Sequence, residues 1–231
     1  MTERVVKSGS ISWVLRNSWS STLCVMLHWL SWNSSRGLLR WYAKSIYEAW
    51  IDSIRIDLYN DNDRALWVVD LNDHVKDIDS LIVKLTETDT YTKIYVIWHS
   101  LWWLIAHLLD WTHISAVIWR DPSLPKIWNI KNKVTSHCDL CITDGAVQKV
   151  ISKKLVEDLI ILWDDYMKNT AIPYLSICSE KVGYFAERSK YVNKSKNQQT
   201  TIIEWSSHSF SEFGIQEELY KMTTDWILSL D

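Results

Sequence analysis

The spacing of apolar residues along the chain switches repeatedly between the period of a strand and that of a helix. Ile11 to Leu15 and Thr22 to Leu27 read as strands. Ser34 to Ala49 follows with helical spacing, and Ser53 to Leu58 returns to a strand. From Leu71 to Leu85, the residues Leu71, Val75, Ile78, Leu81, Ile82 and Leu85 share one helical face. Lys93 to Ile97 is a short apolar, β-branched run suited to a central strand buried on both faces. Leu101 to Leu109 predicts a helix with Leu101, Leu104, Ile105 and Leu108 inward, and Ile114 to Ile118 predicts the next strand. Alternation then weakens. Pro122 to Thr170 holds a loop, a short strand at Asp139 to Thr143 and a long helix from about Ala146 to Lys168. Pro173 to Cys178 and Thr201 to Glu204 restore strands, and Gln216 to Leu230 closes with a helix. Such alternation predicts βαβ units and an α/β fold, a three-layer α/β/α sandwich around a mostly parallel central sheet. The length of 231 residues suits one domain, with the segment from about 122 to 170 inserted as a lid or cap.

Composition narrows the class. Hydrophobic content of 47% and charged content of 23% are those of a soluble globular protein. The net charge of -3, with no basic stripe, argues against a nucleic-acid partner. Met1 to Ser10 lacks the apolar run of a secretory signal. The most apolar stretch, Ile94 to Trp119, is interrupted by His99, His107, Asp110 and His113, which argues against a membrane span. The four cysteines, Cys24, Cys138, Cys141 and Cys178, are sparse, as expected for reduced thiols in a cytoplasmic protein. Cys138 and Cys141 form one C-x-x-C beside His137. Without a second ligand pair this reads as a reduced pair on a partly buried strand rather than a metal or redox site.

One ratio is abnormal. The chain has 16 Trp and 5 Gly, whereas average usage of about 7% would give roughly 16 glycines in this length. The tryptophans also occupy glycine positions. Trp50 stands at the end of a helical pattern and before a strand, where a C-cap glycine is expected. Trp29 and Trp32 lie in a polar loop after a strand, and Trp102 and Trp103 open a helix directly behind a serine. Most of these residues read as glycine in the living cell. A UGA codon that the source organism translates as glycine would be written as tryptophan under a code that assigns UGA to that residue. Trp226, within the helical pattern Leu219 to Leu230, is the best candidate for a genuine tryptophan.

With that substitution, Ile94-Tyr95-Val96-Ile97-Trp98-His99-Ser100-Leu101-Trp102-Trp103-Leu104 becomes strand, Gly-His-Ser-Leu-Gly-Gly, helix. This is the G-x-S-x-G nucleophile elbow in its required context. The serine takes a strained, positive-φ turn that lifts its hydroxyl clear of the sheet, and the residues two before and two after then approach the backbone. Glycine fits there best. Tryptophan at 98 and 102 would be expected to block the turn and leave little activity.

These residues resemble the α/β-hydrolase superfamily, in particular its serine esterases and lipases, and the resemblance extends over roughly residues 10 to 231. It implies an acyl-enzyme on Ser100. It also implies an oxyanion hole in the loop His28-Trp29-Leu30-Ser31-Trp32, which corrects to His-Gly-Leu-Ser-Gly; the donors would be the backbone N–H groups of Leu30 and Leu101. Thr201-Ile202-Ile203-Glu204-Trp205-Ser206-Ser207-His208-Ser209-Phe210 resembles the family's histidine loop, so His208 would be the general base. His99 is expected to point away from the site and His28 to structure its loop. His74, His107, His113 and His137 are expected on the surface or on helix faces.

The acid is less determined. The family commonly places Asp after the penultimate strand, in a pattern like G-E-K-D-G, where Ser179-Glu180-Lys181-Val182-Gly183 has Val182. Two replacements are available. Trp119-Arg120-Asp121-Pro122-Ser123 corrects to Gly-Arg-Asp-Pro-Ser and resembles the G-x-D-P motif of some lipases, which offers Asp121. Glu180 is the second choice, and the third alternative is that neither serves. Asp121 also has an ordinary reading as a turn cap before proline. Asp57 matches a common acidic position after an early strand and reads as structural.

The implied reaction is hydrolysis of a small-molecule carboxylic ester, with thioester or amide behind it, and it needs neither a metal nor an organic cofactor. Two rivals stand beside it. One is a non-catalytic hydrolase-fold binding protein, supported by the vacancy at Val182. The other is an acyltransferase or peptidase sharing the same site. The codons at 98, 102 and 103 test the glycine reading directly. UGA is the expected finding, and UGG at these positions overturns it.

Overall fold

The computed structural model describes residues 3–8, 11–17, 19–28, 37–58, 71–88, 90–100, 103–121, 134–143, 150–158, 172–181 and 198–230. In chain order these form β1 (Glu3–Ser8), β2 (Ile11–Arg16), β3 (Thr22–Leu27), α1 (Gly37–Glu48), β4 (Asp52–Asp57), α2 (Leu71–Glu87), β5 (Lys93–His99), α3 (Trp103–Leu108) and β6 (Ala116–Arg120). There follow β7 (Val134–His137), β8 (Leu140–Thr143), β9 (Val150–Ser152), β10 (Tyr174–Ser179), β11 (Gln198–Ile203) and α4 (Ile215–Leu228).

Eight strands form one sheet in the order β1-β2-β4-β3-β5-β6-β10-β11. The pairs β1–β2 and β2–β4 are antiparallel. Every other pairing is parallel. Burial explains why these sequences sit centrally. β3, β6 and β10 are buried at every position and β5 at all but its first. Strands apolar on both faces need cover on both sides, and a parallel sheet layered with helices supplies it.

Side chains alternate between two cores. Leu23, Val25 and Leu27 of β3, Ile94 and Val96 of β5, and Val117 of β6 pack with Leu71, Ile78, Leu81 and Ile82 of α2 and with Ile105 of α3. Their neighbours Cys24, Met26, Tyr95, Ile97 and Ile118 pack with Leu38, Tyr42 and Ile46 of α1 and with Leu219 and Ile227 of α4. The result is the three-layer arrangement expected from the sequence. Each fully buried aliphatic side chain contributes about 1.5–3 kcal/mol. A one-residue slip of any strand would exchange its two apolar sets, so the register is strongly specified.

Most predicted elements lie within a few residues of those observed. β1 was not anticipated. Its sequence, Glu-Arg-Val-Val-Lys-Ser, has no apolar run to mark it, because an edge strand is held by backbone pairing to β2. The insertion also differs. The long helix expected from Ala146 to Lys168 does not begin there, since Val150–Ser152 pairs antiparallel with β8 as the third strand of a β7-β8-β9 sheet. Val150 and Ile151 are β-branched, and the open edge of β8 gives their backbone a partner. Residues 153–158 are helical. Ser152 caps this turn, its Oγ accepting from the Leu155 N–H at 3.0 Å. The remainder of that expected helix lies outside the described residues. Cys141, Ile151, Leu155 and Val156 join the same core as Trp119 and Tyr174, so the small sheet is packed onto the larger one.

Among the described residues, three tryptophans adopt left-handed backbone conformations, Trp19 (φ 65°), Trp50 (φ 60°) and Trp205 (φ 61°). All three rings are exposed, at 92%, 76% and 73%. Trp50 occupies the C′ position of a Schellman motif. Its N–H donates to the Tyr47 carbonyl at 2.9 Å, and the Ile51 N–H donates to the Ile46 carbonyl at 3.2 Å. That is the C-cap anticipated for glycine at this position. A large side chain here carries the left-handed penalty and gains no burial. Trp19→Gly, Trp50→Gly and Trp205→Gly are each expected to raise stability by about 1 kcal/mol, after discounting glycine's greater unfolded-state freedom. Urea denaturation checks this, and lower midpoints would contradict it.

Candidate active site

The parallel strands β5, β6, β10 and β11 all point their C-terminal ends toward one edge of the sheet, and the chain turns sharply there. Ser100 directly follows β5 with φ 63°, the left-handed geometry of an elbow. Trp98, the penultimate residue of β5, does not obstruct this turn as the sequence suggested. Its ring is fully buried on the α2/α3 face, 5.7 Å from the ring of Trp119. Strand alternation turns it into the core, away from the hydroxyl of Ser100. Trp102 lies outside the described residues.

Asp121 follows β6 and is fully buried, with φ 41°. The neighbouring strand fixes it. The Asp121 N–H donates to the Ile177 carbonyl at 2.7 Å, and its Oδ1 accepts from the Ser179 N–H at 3.2 Å. One carboxylate oxygen is thereby held by β10, leaving Oδ2 aimed along the sheet edge.

His208 lies on the loop after β11, and backbone and side-chain contacts shape that loop. The Trp205 N–H donates to Glu180 Oε2 at 2.7 Å. The Ser207 N–H donates to Glu212 Oε1 at 2.9 Å. The Lys181 N–H donates to the Ser206 carbonyl at 3.0 Å, and the Phe210 N–H to the Ser207 carbonyl at 3.0 Å. Ser206 Oγ donates to the Ile203 carbonyl at 2.6 Å. Phe210, fully buried, pins the far side of the loop into the α1/α4 core.

These placements bring three distant residues into one hydrogen-bonded chain. Ser100 Oγ lies 2.8 Å from His208 Nε2, and His208 Nδ1 meets Asp121 Oδ2. A buried carboxylate accepts from Nδ1–H, which leaves Nε2 as the acceptor for the serine proton. The His208 side chain is 34% exposed. A reactant can therefore reach the ring while the acid behind it stays dry. This arrangement can draw a proton from Ser100 and return it to a leaving group, the work of a serine nucleophile with its base and orienting acid.

The other sequence candidates fall as follows. Glu180 is exposed and bonds the backbone of Trp205; it braces the histidine loop instead of contacting His208. His28 is buried, and its Nε2 accepts from the Leu58 N–H at 3.1 Å, tying the end of β3 to the end of β4. His74 is buried on α2 and His113 is exposed. Cys138 is exposed in the β7–β8 turn, and Cys141 is buried. Leu30, Leu101 and Val182 lie outside the described residues, as do Trp29, Ser31 and Trp32. Sequence reasoning missed the bracing by Glu180 and Glu212, because a loop clamp has no motif. It also missed the contact of His99 with His208, whose ring centroids are 4.9 Å apart.

An eight-stranded, mostly parallel sheet of this order, with a serine on the turn after β5, an acid after β6 and a histidine after the final strand, is the α/β-hydrolase fold. Solved structures similar to it in architecture agree. Est1E from Butyrivibrio proteoclasticus, in its complex with ferulic acid, aligns with a TM-score of 0.82 at 15% identity over 98% of each chain. A dienelactone hydrolase from Anabaena variabilis aligns at 0.72 and 14% identity, over 99% of this chain and 97% of that one. A monoacylglycerol lipase from Paleococcus ferrophilus aligns at 0.71 and 17% identity over the whole of both chains. At these identities the likeness is one of fold. No protein-family model and no curated protein matches the sequence.

The two acidic candidates separate by experiment. Asp121→Asn should slow phosphonylation of Ser100 by a fluorophosphonate about 10³-fold or more, because the amide no longer selects the Nδ1–H tautomer. Glu180→Gln should leave that rate within a few-fold and cost about 1 kcal/mol of stability through its weakened loop bond. Reversal of the two effects would exchange the assigned roles.

Proposed function

We propose that this chain is a serine hydrolase that cleaves a small-molecule carboxylic ester through an acyl-enzyme on Ser100. His208 is the general base and then the general acid. Asp121 holds the His208 tautomer and stabilises the imidazolium that forms. The backbone N–H groups of Leu30 and Leu101 are the proposed oxyanion donors, a role that rests on the sequence resemblance. The observation that carries the reading is the hydrogen-bonded chain from Ser100 through His208 to Asp121, assembled from the ends of three separate strands. The contact between Asp121 and His208 supports the catalytic reading over a non-catalytic one, whose support was the vacancy at Val182.

The compared structures support the choice of substrate class. Ferulic acid, bound by Est1E, is a carboxylic acid of the size an ester hydrolase would release, and a monoacylglycerol lipase cleaves a glycerol ester. The segment from 122 to 170 is proposed as the cap that selects the acyl group, with β7-β8-β9 as its framework. No helix among the described residues is long and apolar enough to cross a membrane.

The decisive experiment is fluorophosphonate labelling followed by peptide mapping, on the chain as written and on a Trp98→Gly, Trp102→Gly, Trp103→Gly form. An adduct on Ser100 that is lost in His208→Ala is expected, together with hydrolysis of p-nitrophenyl, feruloyl or monoacylglycerol esters. Removal of Ser100 or His208 should lower kcat by about 10³-fold or more. A folded protein that takes no label in either form would overturn the proposal.

A further inference from the structure

His208 is the second residue of a tight turn, which the Phe210 N–H closes by donating to the Ser207 carbonyl at 3.0 Å. The peptide unit just ahead of this turn joins Ser206 to Ser207, and both of its polar groups are taken. Its carbonyl accepts from the Lys181 N–H at 3.0 Å. Its N–H donates to Glu212 Oε1 at 2.9 Å. The plane of that peptide is thus fixed from two sides, by the backbone after β10 and by a carboxylate on the far side of the base. Glu212 is itself anchored. Its carbonyl accepts from the N–H of Ile215, the first residue of α4, at 3.1 Å, and Ile215 is buried in the α1/α4 core.

We propose that Glu212 is a positioning residue that links the start of α4 to the base. By fixing the Ser206–Ser207 peptide it sets the direction in which His208 leaves its loop, and so the approach of Nε2 to Ser100 Oγ. The inference rests on the reading of Ser100 and His208 as nucleophile and base.

Glu212 makes two interactions that could supply this effect, and their magnitudes separate them. Lys181 Nζ lies 3.8 Å from Oε1, with the two side chains 52% and 29% exposed. An ion pair so exposed is weakened by water and by the cost of ordering two long side chains. The bond from the Ser207 N–H is shorter, charge-assisted and directional. It therefore carries the role, and the ammonium is secondary. The second carboxylate oxygen, Oε2, is buried with no hydrogen-bond partner. Its desolvation offsets part of what the bonded oxygen contributes to folding. The effect of Glu212 is thus concentrated on the orientation of one peptide. Alanine would release that peptide. Glutamine would keep an acceptor for the Ser207 N–H and lose the charge.

The test uses Glu212→Ala, Glu212→Gln and Lys181→Met, with kcat and KM on an activated ester and hydrogen exchange of the Ser207 amide. For Glu212→Ala, a kcat per folded molecule lower by about 10-fold or more, with KM within about 2-fold, is expected, as for a base displaced by part of an ångström. Exchange of the Ser207 amide should accelerate by about 10-fold or more. Glu212→Gln should return kcat to within about 3-fold of wild type. Lys181→Met should lower it by no more than about 2-fold. A purely structural role would lower the urea midpoint of Glu212→Ala and leave kcat per folded molecule as it was. That result overturns the proposal. So does a Glu212→Gln protein as slow as Glu212→Ala, or a loss in Lys181→Met equal to that in Glu212→Ala, which would give the role to the ion pair. Should Glu212→Ala fail to fold, Glu212→Asp takes its place, its carboxylate one methylene short of the Ser207 N–H. A kcat lower by about 3-fold or more is then expected, and an unchanged kcat counts against. If the wild-type protein neither hydrolyses esters nor takes a fluorophosphonate, the serine-hydrolase reading falls by itself. The Ser207 amide still decides whether Glu212 holds the loop, since unaltered exchange in Glu212→Ala would refute the bond.

Discussion

The parallel run of strands buried on both faces is the constraint from which the rest of this structure follows. Because β3, β5, β6, β10 and β11 share one direction, their C-terminal ends emerge at one edge, and Ser100, Asp121 and His208 all lie just past such ends. The serine and histidine are 108 residues apart in sequence, and the histidine and aspartate 87 apart. Only the register of the sheet makes them neighbours. Moving β6 by one residue against β5 would carry Asp121 about 3.3 Å along the strand and exchange its face. The apolar side chains that oppose such a slip lie well below the site, so the hydrophobic core and the chemistry depend on one packing solution.

A rigid edge solves only part of the problem, because His208 is on a loop. The clamp formed by Glu180, Lys181, Ser206 and Glu212 satisfies backbone groups that would otherwise be left to water, and Phe210 closes it from below. Each bond contributes modestly, about 0.5–1.5 kcal/mol for a neutral pair and more where a carboxylate accepts. Their joint effect is to reduce the conformations open to His208. Glu180 shows how a carboxylate near a site can serve the fold. Its two-residue offset from the family's usual acid position places it against Trp205 and out of reach of the imidazole.

Beneath the same edge lies a buried polar layer of His99, Arg120, Tyr42 and Thr223. Burial lowers the pKa of Arg120, and its guanidinium is compensated by the Tyr42 ring and the Thr223 hydroxyl. A charge so placed links β6, which ends at Asp121, to α1 and to α4, the helix that follows the histidine loop. Asp121 and His208 are thereby tied to the same two helices as well as to each other.

The sequence by itself determined the order of most strands and helices and the sharp turn at Ser100 after β5. Those features are written in adjacent residues, as apolar period and as steric demands on single turns. Trp50 is a local case of this kind, because a C′ position with a Schellman hydrogen-bond pattern can be read from the end of a helix and the start of a strand. Features set by contacts between distant segments were not legible in that way. β1 and β9 carry too little apolar pattern to stand apart from their partners, and the ring of Trp98 found room only because the core at Trp119 accepted it. The choice between Asp121 and Glu180 belongs to the same class. Both carboxylates follow strands, and both flanking patterns resemble family motifs. Only the tertiary structure gave them different surroundings, because the pairing of β6 with β10 seats Asp121 against Ile177 and Ser179 and directs its other oxygen at His208, while Glu180 meets the backbone of Trp205.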